Sequence, residues 1–403
     1  MSKKSPAERI AEYKEKAVAA KMAGDLGTAA DWYYKAARLA DFDSASEYAR
    51  ITFPHIYDPI PKPKRATAIG KKIYDWHSYK LSKLNMKLYG EPNKEVKFQK
   101  QLEAYQKMAA KYDHPMMDQF FGNFYWAYCG IKGEAENYFK KAAERGDYVA
   151  AGKLIFAYGK NVYNARMGKL TCVQDMEQFF QYVFLTYEIS KQRFAWFTQG
   201  AVGVGEYADS GWMVKPYYQA NLLNEMADRM CGSVIADLFP EIPPAMGEPD
   251  ENAVEETDYG HRDKCYDYAA LTEEDKESIF LWFRALCDSF PEHEKYKIKR
   301  WLLCYMYAEG YGCEPDAEKA RQVVKNVPMR DHSEKNALET YDRYNHDYKD
   351  WRIKPIVAYF LAEQWVENGE NLEQAKAWLT RVTTDSMWEK YRVAAQELLD
   401  KLG

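Results

Sequence analysis

Residues Tyr307 to Ala320 read Tyr-Ala-Glu-Gly-Tyr-Gly-Cys-Glu-Pro-Asp-Ala-Glu-Lys-Ala, and they leave the backbone little choice. Gly310 and Gly312 can take the left-handed angles that stop a helix, Pro315 cannot continue one, and Asp316 can cap the next by accepting backbone N–H bonds. The stretch predicts one helix ending, a glycine turn, and a second helix beginning. It is the joint of a helical hairpin, and a chain assembled from such joints is all-α.

Other parts of the chain repeat one another. Ala29, Trp32, Tyr33, Lys35, Ala36, Ala37, Asp41 and Ala45 correspond without a gap to Ala135, Tyr138, Phe139, Lys141, Ala142, Ala143, Asp147 and Ala151. Ala29, Tyr33, Ala36 and Ala40 recur at helical spacing, as do Ala135, Phe139, Ala142 and Ala143. Small residues let helices approach closely, the aromatic pair fills the gap between hairpins, and Asp41 or Asp147 can cap the next helix. A weaker copy runs from Ala358 through Trp365, Gly369 and Asn371 to Ala375, Trp378 and Leu379, with Asn371 and Gln374 at capping-box spacing. Traces of repeats thus cover residues 20–50, 118–158, 300–325 and 354–400. An ordinary amphipathic helix would explain any single copy; agreement between copies favours repetition.

The joint's spacing, Tyr-x-x-Gly-x-Gly-x-x-Pro-Asp-x-x-Lys-Ala, resembles that of Sel1-like repeats, relatives of the tetratricopeptide family. The resemblance implies an α-solenoid of stacked antiparallel helix pairs whose concave surface docks another protein, an adaptor or scaffold and not an enzyme. Resemblance to bacterial members further implies a cytoplasmic immunity protein that binds and blocks a cognate toxin. In that picture Tyr125, Tyr128, Tyr305 and Tyr307, on first helices of recognisable repeats, are aromatic anchors. An acidic arm carrying Glu248, Asp250, Glu251, Glu255 and Glu256 would be offered to a basic groove on the partner.

The 403 residues are enough for two or three ordinary domains or one repeat array. The sequence divides into an N-terminal repeat (1–60), a basic helical segment (61–117), a repeat with following helices (118–238), an acidic proline-rich loop (239–271) and C-terminal repeats (272–403). With 33 Tyr, 11 Trp and 18 Phe, much of the packing must use large rings. Seam packing accounts for them more simply than an aromatic ligand cage. Ser5 and Glu8 are spaced as a capping box around Pro6, so a helix starts almost at once. No apolar run suits a secretory signal or a membrane span, which predicts a cytoplasmic chain with no membrane partner. The seven cysteines are scattered and unpaired in spacing, as reduced thiols are.

Charge is distributed unevenly. Lys62 to Lys111 holds 13 Lys and Arg against 4 Asp and Glu, a balance of +9, which leaves −14 for the rest of a chain whose formal charge is −5. Lys62, Lys64, Arg65, Lys71, Lys72, Lys80, Lys83, Lys87, Lys94, Lys97 and Lys100 stand there among Tyr74, Trp76, Tyr79, Tyr89 and Phe98. Basic residues among aromatics are what nucleic acid needs, so an adaptor or regulatory subunit contacting nucleic acid through residues 62–111 is the alternative reading. A solvated lysine face gives the same composition, and no usual binding module is visible. The opposite sign gathers from Glu241 to Asp258, where seven acids occur without a base among prolines; Thr272, with Asp275, then opens the next helix.

Residues 170–238 carry apolar helical patterns, including Phe179, Phe180, Val183, Phe184 and Tyr187, broken by a glycine run at Gly200, Gly203 and Gly205. That run lacks the lysine and strand context of a phosphate loop and reads as a close-packing loop. None of the seven histidines has metal or catalytic spacing, and His261, Asp263 and Cys265 do not converge without distant help. No catalytic residue, cofactor or metal is assigned.

Overall fold

The computed structural model describes residues 4–57, 63–130, 133–164, 168–173, 175–198, 229–234, 236–238, 271–289, 294–325, 354–386 and 388–403. The chain forms two compact units, Met1–Tyr158 with Asp175–Glu225, and Gly159–Gln174 with Met226–Gly403. Antiparallel helix pairs build both, as the repeats require.

In the first unit α1 (Pro6–Met22), α2 (Leu26–Arg38) and α3 (Phe42–Thr52) pack in succession. Ser5 and Glu8 make the reciprocal capping box, with the Ser5 N–H donating to Glu8 Oε2 at 2.7 Å. Asp25 and Asp41 cap α2 and α3 through the amides of Thr28 and Ser44. Ala29, Tyr33, Ala36 and Ala37 are buried, while Trp32 stacks on Tyr13 and lies between the ammonium groups of Lys16 and Lys35, 4.5 and 4.4 Å from its ring.

The second copy repeats this. The α7 (Pro115–Cys129), α8 (Glu134–Glu144) and α9 (Tyr148–Ala157) helices pack in order, Phe139 and Ala142 are fully buried, and Asp147 caps α9 through the Ala150 amide at 2.8 Å. Gly122 on α7 makes room for the Phe139 ring. The long α10 (Met176–Thr198) returns against α3 and α9, burying Phe179, Phe180 and Phe184, the apolar face its sequence announces. Between the two copies come α4 (Pro63–Asp75), α5 (Ser82–Lys87) and α6 (Lys94–Ala109).

In the second unit α11 (Glu273–Ser289), α12 (Glu294–Glu309), α13 (Ala317–Lys325), α14 (Lys354–Asn368), α15 (Leu372–Asp385) and α16 (Glu389–Leu402) continue the pattern. Pairs α12–α13, α14–α15 and α15–α16 lie side by side. The joint is as expected: Gly310 and Gly312 both sit at φ 72°, and Asp316 Oδ1 accepts the Lys319 amide at 2.9 Å. A Cβ on Gly312 would lie 2.3 Å from the Lys276 carbonyl oxygen of α11, so the glycine is fixed by packing as well as by backbone angle. Asp237 ties the joint down, accepting from the Tyr311 hydroxyl at 3.0 Å and the Leu271 amide at 3.1 Å, with Lys276 Nζ at 3.5 Å. Thr272 and Asp275 form the expected cap of α11.

Three details depart from the sequence reading. The helices are interrupted by a two-stranded antiparallel ribbon, β1 (Gly159–Asn164) and β2 (Gly168–Val173), with Gly159 opposite Val173 and Asn164 opposite Gly168. It belongs to the second unit, where the Val173 amide donates to Ser233 Oγ at 2.8 Å. β-branched Thr171 and Val173 and the glycines that open both strands, Gly159 and Gly168, override the helical context. Asn371 makes no capping hydrogen bond to α15 and takes left-handed angles at φ 46°. Ala40 is not on the α2 stripe; it sits at φ 63° in the turn, where the other copy has Gly146 at φ 79°.

Left-handed alanine costs about 1–2 kcal/mol, more than the roughly 0.5–1 kcal/mol of extra chain entropy that glycine loses. Ala40→Gly is therefore expected to raise unfolding free energy by about 0.5–1 kcal/mol in a urea titration, and Gly146→Ala to lower it. Gly122→Ala runs against its helix propensity: a gain of about 1 kcal/mol is outweighed by forcing a Cβ to 2.5 Å from the Phe139 ring, for a net loss of about 1–2 kcal/mol.

Candidate functional site

The first unit carries a face that its core does not use. α4, a wide π-turn over Trp76–Leu81 and α5 run head to tail as one helical rod from residue 63 to 87. Ile73, Leu81 and Leu88 are buried on one side. The wide turn lets the neighbouring rings of Trp76 and His77 both reach Tyr105 of α6, at 5.4 and 6.2 Å. His77 stacks on Phe120 of α7 at 3.9 Å, and Ile73, Leu81, Tyr105, Phe120, Phe121 and Phe124 form one cluster beneath the rod. A polar chain fastens α5 to this bed: the Tyr128 hydroxyl donates to Gln101 Oε1, and Gln101 Nε2 donates to Asn85.

Tyr79 and Met86 on the solvent side of the rod, and Tyr89 just past its end, are 67%, 76% and 88% exposed. Exposed Lys72, Lys80, Lys83 and Lys87 surround them, and none of these four has a carboxylate partner among the described residues. Single exposed apolar side chains are ordinary, but three large ones within eleven residues of one rod form a patch. Lys94, at the start of α6, is also exposed; Asn93 caps that helix by accepting the Glu95 and Val96 amides at 3.0 and 3.2 Å.

The expected anchors divide. Tyr305 and Tyr307 do not face solvent: they are 4% and 8% exposed, Tyr307 packs edge-on to Phe280, and burial pushes both hydroxyls' pKa up. Their rings pack within the second unit's hairpin joint. Tyr125 and Tyr128 are half-buried in the bed under the rod, Tyr125 stacked on Tyr138 at 5.5 Å and Tyr128 edge-on to Phe98 at 5.2 Å. They support the exposed face without forming it. Glu248, Asp250, Glu251, Glu255 and Glu256 lie outside the described residues, as do the Gly200–Gly205 run and the His261, Asp263 and Cys265 group. Met86 was invisible to a search for aromatics among bases; its place opposite Leu81 and Leu88 on the rod is the signal that would have found it.

Among the described residues no group of three or more His, Cys, Asp or Glu is placed to hold a metal. No helix among them is long and apolar enough to cross a membrane. Buried acids here serve the fold: Asp118 of α7 pairs with Lys141 at 2.8 Å and Arg145 at 2.9 Å on α8.

No family model matches the chain, and no curated protein matches it. Among solved structures it is similar to a protective antigen present in uropathogenic Escherichia coli strains displaying an SLR fold, at 14% identity over 98% of this chain and 69% of that one, with a TM-score of 0.22. At that score the likeness does not bear on the site.

Burial among Phe120, Tyr105 and Trp76 depresses the His77 pKa below its ordinary 6.5. The folded state disfavours the imidazolium, so the unfolded chain binds that proton more readily. This contribution to stability is complete above about pH 6.5 and declines as pH falls below it toward the folded-state value. Urea midpoints of the wild type should accordingly drop more between pH 7 and pH 5 than those of His77→Phe, which keeps a ring on Phe120.

Proposed function

We propose that this chain is a helical-repeat docking protein of Sel1-like character, which works by binding a protein partner and performs no chemistry of its own. The observation that carries this reading is the exposed face of residues 72–89, where Tyr79, Met86 and Tyr89 stand among four lysines on a rigid aromatic bed. Tyrosine and methionine are favoured in the centres of interfaces, and a few such residues supply most of the binding energy. The fixed bed reduces the ordering cost of association. The most specific form of the proposal is a cytoplasmic immunity protein that neutralises a bacterial toxin, with the partner bound on this face.

Truncating exposed side chains changes stability by less than about 0.5 kcal/mol, whereas losing a central anchor weakens binding by about 2 kcal/mol or more, roughly thirtyfold. Tyr79→Ala/Tyr89→Ala should therefore fold with an unchanged melting temperature and lose, by at least tenfold, the partner that the wild-type chain retains in quantitative affinity purification. Equal retention by both proteins would refute docking on this face. In the immunity form, the retained partner is toxic to cells producing the variant and harmless to cells producing the wild type.

A further inference from the structure

Resting on the docking reading, the geometry points to a particular kind of occupant: we infer that the face is built for an acidic amphipathic helix with apolar residues one heptad apart. Tyr79, inside the wide turn, and Met86, on α5, are seven residues and just under two turns apart, roughly 10 Å along the rod, close to the heptad repeat with which one helix lays an apolar seam along another. Lys80 and Lys87 flank that ridge at the same interval, with Lys83 between them. In paired helices, residues beside the apolar seam select the partner by charge, and here that side is wholly positive over Lys80, Lys83 and Lys87. Glutamate or aspartate at the corresponding places on the occupant completes both halves of the contact.

Two competing occupants fit less well. A second copy using the same face would set lysine against lysine, because a twofold interface presents one patch to itself. Nucleic acid takes phosphate on lysines, but the ridge includes Met86, which has no planar face for a base to stack on, and exposed Asp75 borders the stripe.

Fluorescence anisotropy on the full chain at about physiological salt tests this with four labelled probes: an acidic peptide with leucine at heptad spacing, the same peptide with its leucines replaced by serine, a charge-reversed version carrying lysine, and a single-stranded oligonucleotide. Binding by the first probe alone is expected, weakened at least tenfold by Tyr79→Ala/Met86→Ala. Lys80→Glu/Lys83→Glu/Lys87→Glu should abolish that binding and instead capture the charge-reversed peptide, an exchange that a misfolded variant cannot give. Equal binding of the serine peptide would overturn the inference, since charge alone would then suffice. Preferred binding of the oligonucleotide would overturn it as well; four phosphate contacts to a single strand predict about a fiftyfold loss of affinity between 50 and 200 mM salt. A face that binds none of the probes but still loses its native partner on Tyr79→Ala/Tyr89→Ala refutes the occupant while leaving docking intact; a partner retained by that variant refutes the docking reading itself.

Discussion

The two matching hairpins of the first unit depend on the burial of a narrow stripe of alanine and one large ring on the second helix. Ala29, Tyr33 and Ala36 in one copy, and Ala135, Phe139 and Ala142 in the other, are at most 5% exposed. Alanine brings the backbones close at no side-chain entropy cost, and the ring supplies the area that alanine lacks. The stripe cannot be hidden within its own helix, so the preceding helix must lie antiparallel to it. Where the fit is closest a glycine is required, as at Gly122 beneath Phe139 and Gly312 beside the Lys276 carbonyl.

Much of this was legible because caps and turns are local. Ser5 with Glu8, Asp41, Asp147, Thr272 with Asp275, and Asp316 all make the hydrogen bonds their spacing announces, and Gly310 and Gly312 take the left-handed angles the joint needs. Failure came where two local preferences compete. Asn371 satisfies a capping pattern but equally tolerates left-handed angles, and the Schellman-like turn after α14, with Gly369 at φ 65° and the Glu370 amide on the Trp365 carbonyl at 2.8 Å, takes it the second way. The ribbon at residues 159–173 was missed for a related reason. Its six-residue strands are too short to contradict the surrounding helical periodicity until their pairing is seen.

The proposed docking face was half legible. Composition located the segment, since lysines and aromatics crowd residues 62–111, but not the direction of each ring. Tyr79 and Tyr89 point out while Trp76 turns in on Tyr105, and only the phase of the rod, set by Ile73, Leu81 and Leu88 and shifted by the π-turn, separates them. The same ambiguity applies to Tyr305 and Tyr307, whose rings are buried at the joint. Tyrosine is amphipathic enough to close a hairpin or to meet a partner, and these two close the joint.

A face that contributes nothing to the core is free to be specialised. Tyr79, Met86 and Tyr89 bury little surface in the folded chain, so their presence there is not explained by stability, whereas the residues one step inward, Ile73, Tyr105 and Phe120, are held by mutual contact. Exposed apolar area carries a standing cost in solubility, which lysine offsets by keeping the patch hydrated. Lysine also discriminates: bare apolar area would accept any greasy surface, while Lys80, Lys83 and Lys87 reject every basic one. Attraction and exclusion are thus carried by different side chains on one rod, and either can change without disturbing the aromatic bed that holds the rod in place.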